Sequence, residues 1–374
     1  MIPLLRSKVA HIVPSMEMGG VEKSTRLTLA QLHANGIPVI LICSGGRMCQ
    51  DLSDLGIPIY LLAVHSKNPV TQFLNIFRIA NIVRREGVGV IHCHSRAPAW
   101  SSYFSSRLAG SHFITTFHSY YGHRALKKLY SKIMTMGEVI IAPSTALHQH
   151  IIQTYGIDSH KVIHLPHFVD RHVATDQSEI DTFKRQHAIP EGAIIVTMVA
   201  RFSQSKGIHL VIEALKLLAL DNLILLIVGR SKNGRAELWQ TGHLDQRSSA
   251  INVRVIDGSE LNIAHAFLLS YGVISASSQP EGFGLSMLEA LSYEVPVIAS
   301  MHGGALDLVE HGVNGLLFEP NNAADLALKI QALLMQSHGE YASMRLSARR
   351  QAEKFTANLT ITKLEHIYKA LDSH

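Results

Sequence analysis

Short runs of wholly apolar residues alternate with longer amphipathic stretches, and the alternation occurs twice along the chain. Val9–Val13, Val39–Cys43, Ile59–Leu62, Val88–His92, Phe113–Phe117 and Val139–Ala142 read as strands. Stretches at helical spacing lie between them, among them Val21–Asn35 and Val70–Glu86, the latter with Phe73, Ile76, Ile79, Ile82 and Val83 in phase. The pattern restarts after a polar, mixed segment at 171–192. Strands are expected at Ile194–Val199, Leu223–Val228, Val253–Ile256, Val273–Ala276, Val297–Ser300 and Leu316–Phe318, with helices at Gly207–Leu217, Leu261–Ser270 and Leu285–Ser292. Strands without polar alternation belong to parallel sheets covered on both faces. The expected fold class is therefore α/β, two Rossmann-like doubly wound domains facing across a cleft, with ligands at the carboxyl ends of the strands. Residues 1–175 form the first domain and 176–355 the second. A last helix within 356–374 is expected to pack back toward the first domain.

Composition excludes several classes. With 47% hydrophobic and 17% charged residues, long disorder is not expected. Cys43, Cys49 and Cys93 are too few and wrongly spaced for a disulfide framework, which points to a reducing compartment. No signal peptide and no apolar run of about 18 residues is expected, so the protein reads as cytoplasmic. Residues 1–170 carry 16 Lys and Arg against 8 Asp and Glu, whereas the remainder carries 18 against 21. The basic half suits an anionic partner.

In the second half, Pro280-Glu281-Gly-Phe283-Gly284-Leu285-Ser286-Met-Leu-Glu289 follows a strand and opens a helix. Amides at such a helix start suit a phosphate. Carboxylates such as Glu281 and Glu289 suit sugar hydroxyls, which they accept with charge assistance. Arg201 and Lys206 follow the first strand of this half, where two cations beside Gly207 would neutralise a diphosphate. Gly229 ends the next strand and could line the same pocket, with Arg230 and Ser231 after it.

In the first half, Gly19-Gly20 stands between a strand and a helix, where it is either a simple turn or a close backbone approach to a ligand, with Glu22 and Arg26 nearby. His92, His94 and His118 lie at strand ends. A His-x-His pair could hold a metal, but no carboxylate or further cysteine completes the set, and no metal is expected. The segment Tyr120-Tyr121-Gly-His123-Arg124-Ala-Leu-Lys127-Lys128-Leu-Tyr130-Ser-Lys132 is basic and aromatic, as is suited to an anionic bilayer surface. No groove-reading motif accompanies the charge, which argues against nucleic acid.

Arg201 with Lys206, Glu281 and Glu289 with seven residues between them, Gly303-Gly304 and Val313-Asn-Gly315-Leu-Leu together resemble the retaining glycosyltransferases of family 4, which have the GT-B fold. The relevant members are bacterial enzymes of lipopolysaccharide core, capsule or glycolipid synthesis. The resemblance implies a hexosyltransferase-type enzyme that retains anomeric configuration and needs no metal or other cofactor. The donor would be a nucleotide-sugar, a UDP-sugar foremost and a GDP-sugar as the alternative. The acceptor would be a glycan or glycolipid, met peripherally at the inner face of the cytoplasmic membrane in cell-envelope synthesis. It also implies that Arg201 and Lys206 bind the diphosphate, Glu289 the ribose, Glu281 and His118 the transferred sugar. Gly19, Gly20 and the amides of Phe283, Gly284, Leu285 and Ser286 would approach the donor. The chain departs from the family at Phe168, Glu294 and Asp307, the first two of which replace glycines and the third a glutamate. A sugar phosphorylase, a nucleotide-sugar epimerase and a non-catalytic sugar-nucleotide-binding protein share the phosphate site and remain rivals. A dehydrogenase does not, because no Gly-x-Gly-x-x-Gly follows the first strand.

Overall fold

A computed structural model describes residues 7–121, 125–170, 176–229, 252–258 and 260–373. The chain divides into two compact units, residues 1–170 with 355–374, and residues 171–354. Among the described residues each unit contains one sheet, and every pairing within the two sheets is parallel.

The first sheet consists of β1 (Lys8–Ile12), β2 (Val39–Cys43), β3 (Ile59–Leu61), β4 (Val88–Cys93), β5 (His112–Thr116), β6 (Val139–Ala142) and β7 (Val162–His164). Their spatial order is β3-β2-β1-β4-β5-β6-β7. The second consists of β8 (Ile194–Val199), β9 (Leu223–Gly229), β10 (Asn252–Asp257), β11 (Gly272–Ser275), β12 (Val297–Ser300) and β13 (Gly315–Phe318), in the order β10-β9-β8-β11-β12-β13. Each sheet reverses direction of growth once, between β1 and β4 and between β8 and β11. Crevices open at such reversals, at the carboxyl ends of the strands. The apolar runs are explained by coverage on both faces, since all five residues of β2 are buried.

Local signals fix the helix ends. Helix Pro69–Glu86 begins with proline, is capped by the Asn68 carboxamide accepting from the Val70 amide at 2.9 Å, and ends at Gly87 in the left-handed region. Ser337 and Glu340 close a reciprocal capping box on helix His338–Ala352. Glu294, where the family favours glycine, has φ 59°, and its carboxylate is held by Arg345 and Arg349 at 3.5 and 3.0 Å. Phe168, the other replaced glycine, is buried with Leu165, Ile361 and Leu364 in the first core. Its ring is therefore a packing residue of the first unit.

Helix Ala357–Asp372 belongs to the first unit although residues 171–354 separate it from the rest. It buries Ile361, Leu364 and Tyr368 there, each worth about 1.5–3 kcal/mol of apolar transfer. The Thr360 hydroxyl donates to the Pro166 carbonyl at 3.0 Å, and Asn35 donates to Glu365 at 2.9 Å.

Gly207 joins a 3-10 turn, Gln204–Lys206, to helix Ile208–Leu218 at φ 71°. A Cβ there would lie 1.9 Å from the Ala276 carbonyl oxygen. Gly207→Ala is therefore expected to destabilise the second unit by roughly 2–4 kcal/mol, from left-handed strain plus overpacking. Urea unfolding followed by circular dichroism checks this, and an unchanged midpoint contradicts it.

Candidate active site

The second unit gathers charge where β8 and β11 part. The chain leaving β8 carries Arg201 and Lys206, and the chain leaving β11 carries Ser277 and Glu281. The Lys206 ammonium donates to Glu281 Oε1 at 2.5 Å, and the Ser277 hydroxyl donates to the same oxygen. The Ser278 amide donates to the Ser205 carbonyl at 2.9 Å, which ties the two loops by backbone as well. Burial pushes the Glu281 carboxyl up, but the charge and hydrogen bond of Lys206, the Ser277 hydroxyl and His302 outweigh it and hold the group below the ordinary carboxylate range. Glu281 is thus an anion in a fixed position. Arg201 is exposed at the same strand end.

Glycines set the shape of this loop. A Cβ at Gly303 would lie 2.6 Å from the Glu281 carbonyl oxygen and one at Gly304 would lie 2.2 Å from that of Phe283. The Gly304 amide donates to the Glu281 carbonyl at 2.9 Å. Gly303-Gly304 therefore supports the backbone that presents Glu281. Gly229 has a similar role, since a Cβ there would strike the Ala200 carbonyl. Gly284, at φ 98°, starts helix Leu285–Ser292 with no side chain capping it. Phe283 and Leu285 are buried, Ser286 is half-buried, and Glu289 is buried on this helix.

Two residues here escaped sequence analysis. Ser277 shares the Glu281 oxygen. His302, immediately before the glycine pair, has both ring nitrogens buried and without a hydrogen-bond partner. Ser300, two residues earlier on β12, likewise has a buried hydroxyl without one. Buried polar groups without a protein partner are uncommon, so both stand out beside the charged strand end.

In the first unit, Gly19 is extended (φ −177°) and caps helix Gly20–Ala34 without a side-chain bond. A Cβ at Gly20 would meet nothing within 4 Å. Neither glycine is required by its own backbone, but a Cβ at Gly19 would lie 2.4 Å from a Glu22 carboxylate oxygen, so of the two it is Gly20 that faces open space at the helix start. Arg26 lies 3.8 Å from Asp51.

The histidines form a connected network. His118 Nε2 bonds His94 Nδ1 at 3.1 Å, and His94 Nε2 bonds His11 Nδ1 at 2.9 Å. His11 Nε2 meets the Tyr368 hydroxyl at 3.1 Å, Tyr368 meets His92 Nδ1 at 2.7 Å, and His92 Nε2 meets the Thr116 hydroxyl at 2.7 Å. His167 stacks on His118 with centroids 5.3 Å apart. Potential ligand nitrogens of His11, His92 and His94 lie within 4.8 Å of one another. All six nitrogens of these three rings are engaged in the network, so a metal bound there would have to displace hydrogen bonds among them. A cavity of about 30 Å³ adjoins His94, His118 and His167, with the buried, unpartnered hydroxyl of Thr25 on its wall.

The basic segment differs in detail from its sequence reading. Tyr121 packs on Phe117 and beneath the Arg96 guanidinium at 4.1 Å, and Tyr120 packs on His150. Lys127, Lys128, Tyr130 and Lys132 are exposed, whereas His123 and Arg124 lie outside the described residues, as do Arg230 and Ser231.

Two family descriptions cover most of the chain. "Glycosyltransferase Family 4" matches residues 18–173 and "Glycosyl transferases group 1" matches residues 179–355. The chain is similar to N-acetyl-alpha-D-glucosaminyl L-malate synthase of Bacillus anthracis, 24% identical over 78% of this chain and 77% of that protein. Other curated relatives are matched over 54–60% of their own length. Among solved structures, a glycosyltransferase from Rickettsia africae superposes with a TM-score of 0.85 at 28% identity, covering 98% of both chains. Anabaena HepE, in complex with UDP and glucose, superposes with a TM-score of 0.83 at 20% identity, covering 99% of this chain and all of that one.

Burial is the leading cause that lowers the pKa of every ring in the network, bringing His11 to about 3 and His167 to about 4; His92, His94 and His118 fall well below the ordinary value, helped by neighbouring rings. The unfolded chain takes up these protons near pH 6.5 and the folded one does not. Stability is therefore complete above pH 6.5 and falls as pH drops toward 4 and 3, by about 1.4 kcal/mol per pH unit for each ring. The urea midpoint should fall steeply below pH 6.5, and a flat profile to pH 5 contradicts neutral burial.

Proposed function

The chain belongs to the family 4 glycosyltransferases of the GT-B fold, and on that premise we propose that it is a retaining, metal-independent enzyme which transfers a hexose from a UDP-sugar to a glycan or glycolipid of the bacterial cell envelope. The observation that carries this is the Lys206–Glu281 ion pair at the parting of β8 and β11. It puts a cation and a fixed carboxylate side by side, as the junction between a diphosphate and a sugar requires. Lys206, with Arg201 beside it, neutralises the diphosphate and stabilises the leaving group. These two charges supply what a divalent ion supplies elsewhere. Glu281 accepts from hydroxyls of the transferred sugar, and His118 is assigned to a sugar hydroxyl. The amides of Phe283–Ser286 serve the phosphate, and Glu289 accepts from the ribose hydroxyls. Gly19-Gly20 is assigned to the donor's approach, with open space at Gly20. UDP is favoured because a structural neighbour binds UDP and glucose, and envelope synthesis because relatives include a capsular polysaccharide glycosyltransferase.

Donor turnover by Lys206→Ala should fall about 10²-fold or more, the scale of losing one transition-state charge partner, and should persist in EDTA for the natural chain. Glu281→Gln keeps the shape and removes the charge, and should fall similarly. Nucleotide release from UDP-sugars measures all three, and near-normal turnover in either variant removes the assigned role.

We further propose that the first unit meets an anionic bilayer at the cytoplasmic face. No helix among the described residues is long and apolar enough to cross one. Helix Pro69–Glu86 exposes Val70, Phe73, Leu74 and Phe77, a single stripe at i, i+3, i+4 and i+7. Helix Arg96–Ala109 packs beside it and exposes Phe104 and Leu108, while Leu126 and Leu129 stand out from helix Ala125–Ser131. Trp100 joins the last two helices, stacked on Phe104 and tilted against Tyr130. Exposed Arg78, Arg107, Lys127, Lys128 and Lys132 on these helices and the turn that follows supply the charge complement. Flotation with phosphatidylglycerol vesicles should fall with salt, and with Lys127, Lys128 and Lys132 changed to Glu, each lysine being worth about 1 kcal/mol. Equal flotation with neutral vesicles contradicts this reading.

A further inference from the structure

The buried network in the first unit is a chain of hydrogen bonds with an order, and its rings differ in exposure. His11, His92 and Tyr368 are at most 2% exposed and His94 is 4% exposed, whereas His118, which lines the cavity together with His92 and His94, is half-buried. A neutral imidazole has one N–H and one lone pair. Each link therefore constrains the next. If His94 donates from Nδ1 to His118, its Nε2 must accept from His11 Nδ1–H, and His11 Nε2 must accept from the Tyr368 hydroxyl. Tyr368 then accepts from His92 Nδ1–H, and His92 accepts from Thr116. In this state all four histidines carry the proton on Nδ1. Reversing every bond places all four protons on Nε2. Any mixture leaves two N–H groups facing, two lone pairs facing, or the buried Tyr368 hydroxyl without an acceptor, and such groups are costly inside a protein.

We propose that Tyr368, His11, His92 and His94 are positioning residues that set the tautomer of His118, so that the C-terminal helix determines whether His118 Nδ1 offers its ligand a donor or an acceptor. The inference rests on the assignment of His118 to a sugar hydroxyl. A hydroxyl that accepts from His118 selects the Nδ1–H state, and one that donates to it selects the Nε2–H state. Differently oriented sugar hydroxyls are thereby distinguished by a group that the ligand does not touch. The test uses the full chain labelled with 15N in histidine, and reads tautomers from long-range 1H–15N spectra. The expected result is one shared tautomer for His11, His92, His94 and His118. Different tautomers among His11, His94 and His118 would overturn the relay, and this measurement needs no variant. Tyr368→Phe keeps the buried ring and removes the hydroxyl that links His92 to His11. It should shift the His118 nitrogen resonances across two intervening rings and lower turnover of UDP-glucose about 3- to 10-fold, the size of one net hydrogen bond. A folded Tyr368→Phe protein with unmoved His118 resonances would overturn the relay. So would one equivalent of Zn²⁺ retained through His11, His92 and His94 after desalting, because it would occupy the nitrogens the relay needs. A panel of nucleotide-sugars that leaves His118 unmoved in the natural chain removes its assignment to the sugar instead, while a shared tautomer would still stand.

Discussion

A parallel sheet covered on both faces leaves its charged groups to the strand ends, and this constraint organises both units. Along β2 or β9 a polar side chain would meet a packed layer whichever way it pointed. The charged groups consequently appear where strands stop. Arg201 and Lys206 follow β8, Ser277 and Glu281 follow β11, and His94 and His118 follow β4 and β5. The single reversal of strand order in each sheet then separates two neighbouring connections and opens the space between them. Lys206 and Glu281 are 75 residues apart in the chain, and adjacency of β8 and β11 alone brings their ends to 2.5 Å.

Within that frame the glycines and the ion pair divide the work. Gly207, Gly303 and Gly304 stand where a side chain would strike a neighbouring carbonyl, so the loops can pack backbone on backbone. The resulting rigidity means that Glu281 does not search for Lys206. The carboxylate stays ionised despite partial burial because the ammonium is already there. A ligand entering this place exchanges one set of charge contacts for another, and does so without first having to order the loop.

The strands and the strand-end charges were legible in the sequence because both are local. Apolar runs of three to six residues identified twelve of the strands to within a residue or two. β7 escaped because it is three residues long and buries only Val162 fully. Helix Gln177–Gln186 fell within a segment that read as a polar connection, since Phe183 is its one buried residue. Helix Pro69–Glu86 has a second apolar stripe facing outward, and periodicity by itself does not say which stripe meets the core. His302 stands beside a glycine pair that attracted attention for its own sake. The partnership of His11 with Tyr368 spans 357 residues and no spacing rule could reach it.

The discontinuity of the first unit also has a meaning in time. Residues 355–374 complete a core whose other members all lie before residue 171. A ribosome reading this message must therefore make the whole of the second unit before the first can close. Until then the cradle of Leu27, Phe168 and the imidazoles of His11 and His92 is open to solvent and to other chains. The first unit is begun first and finished last.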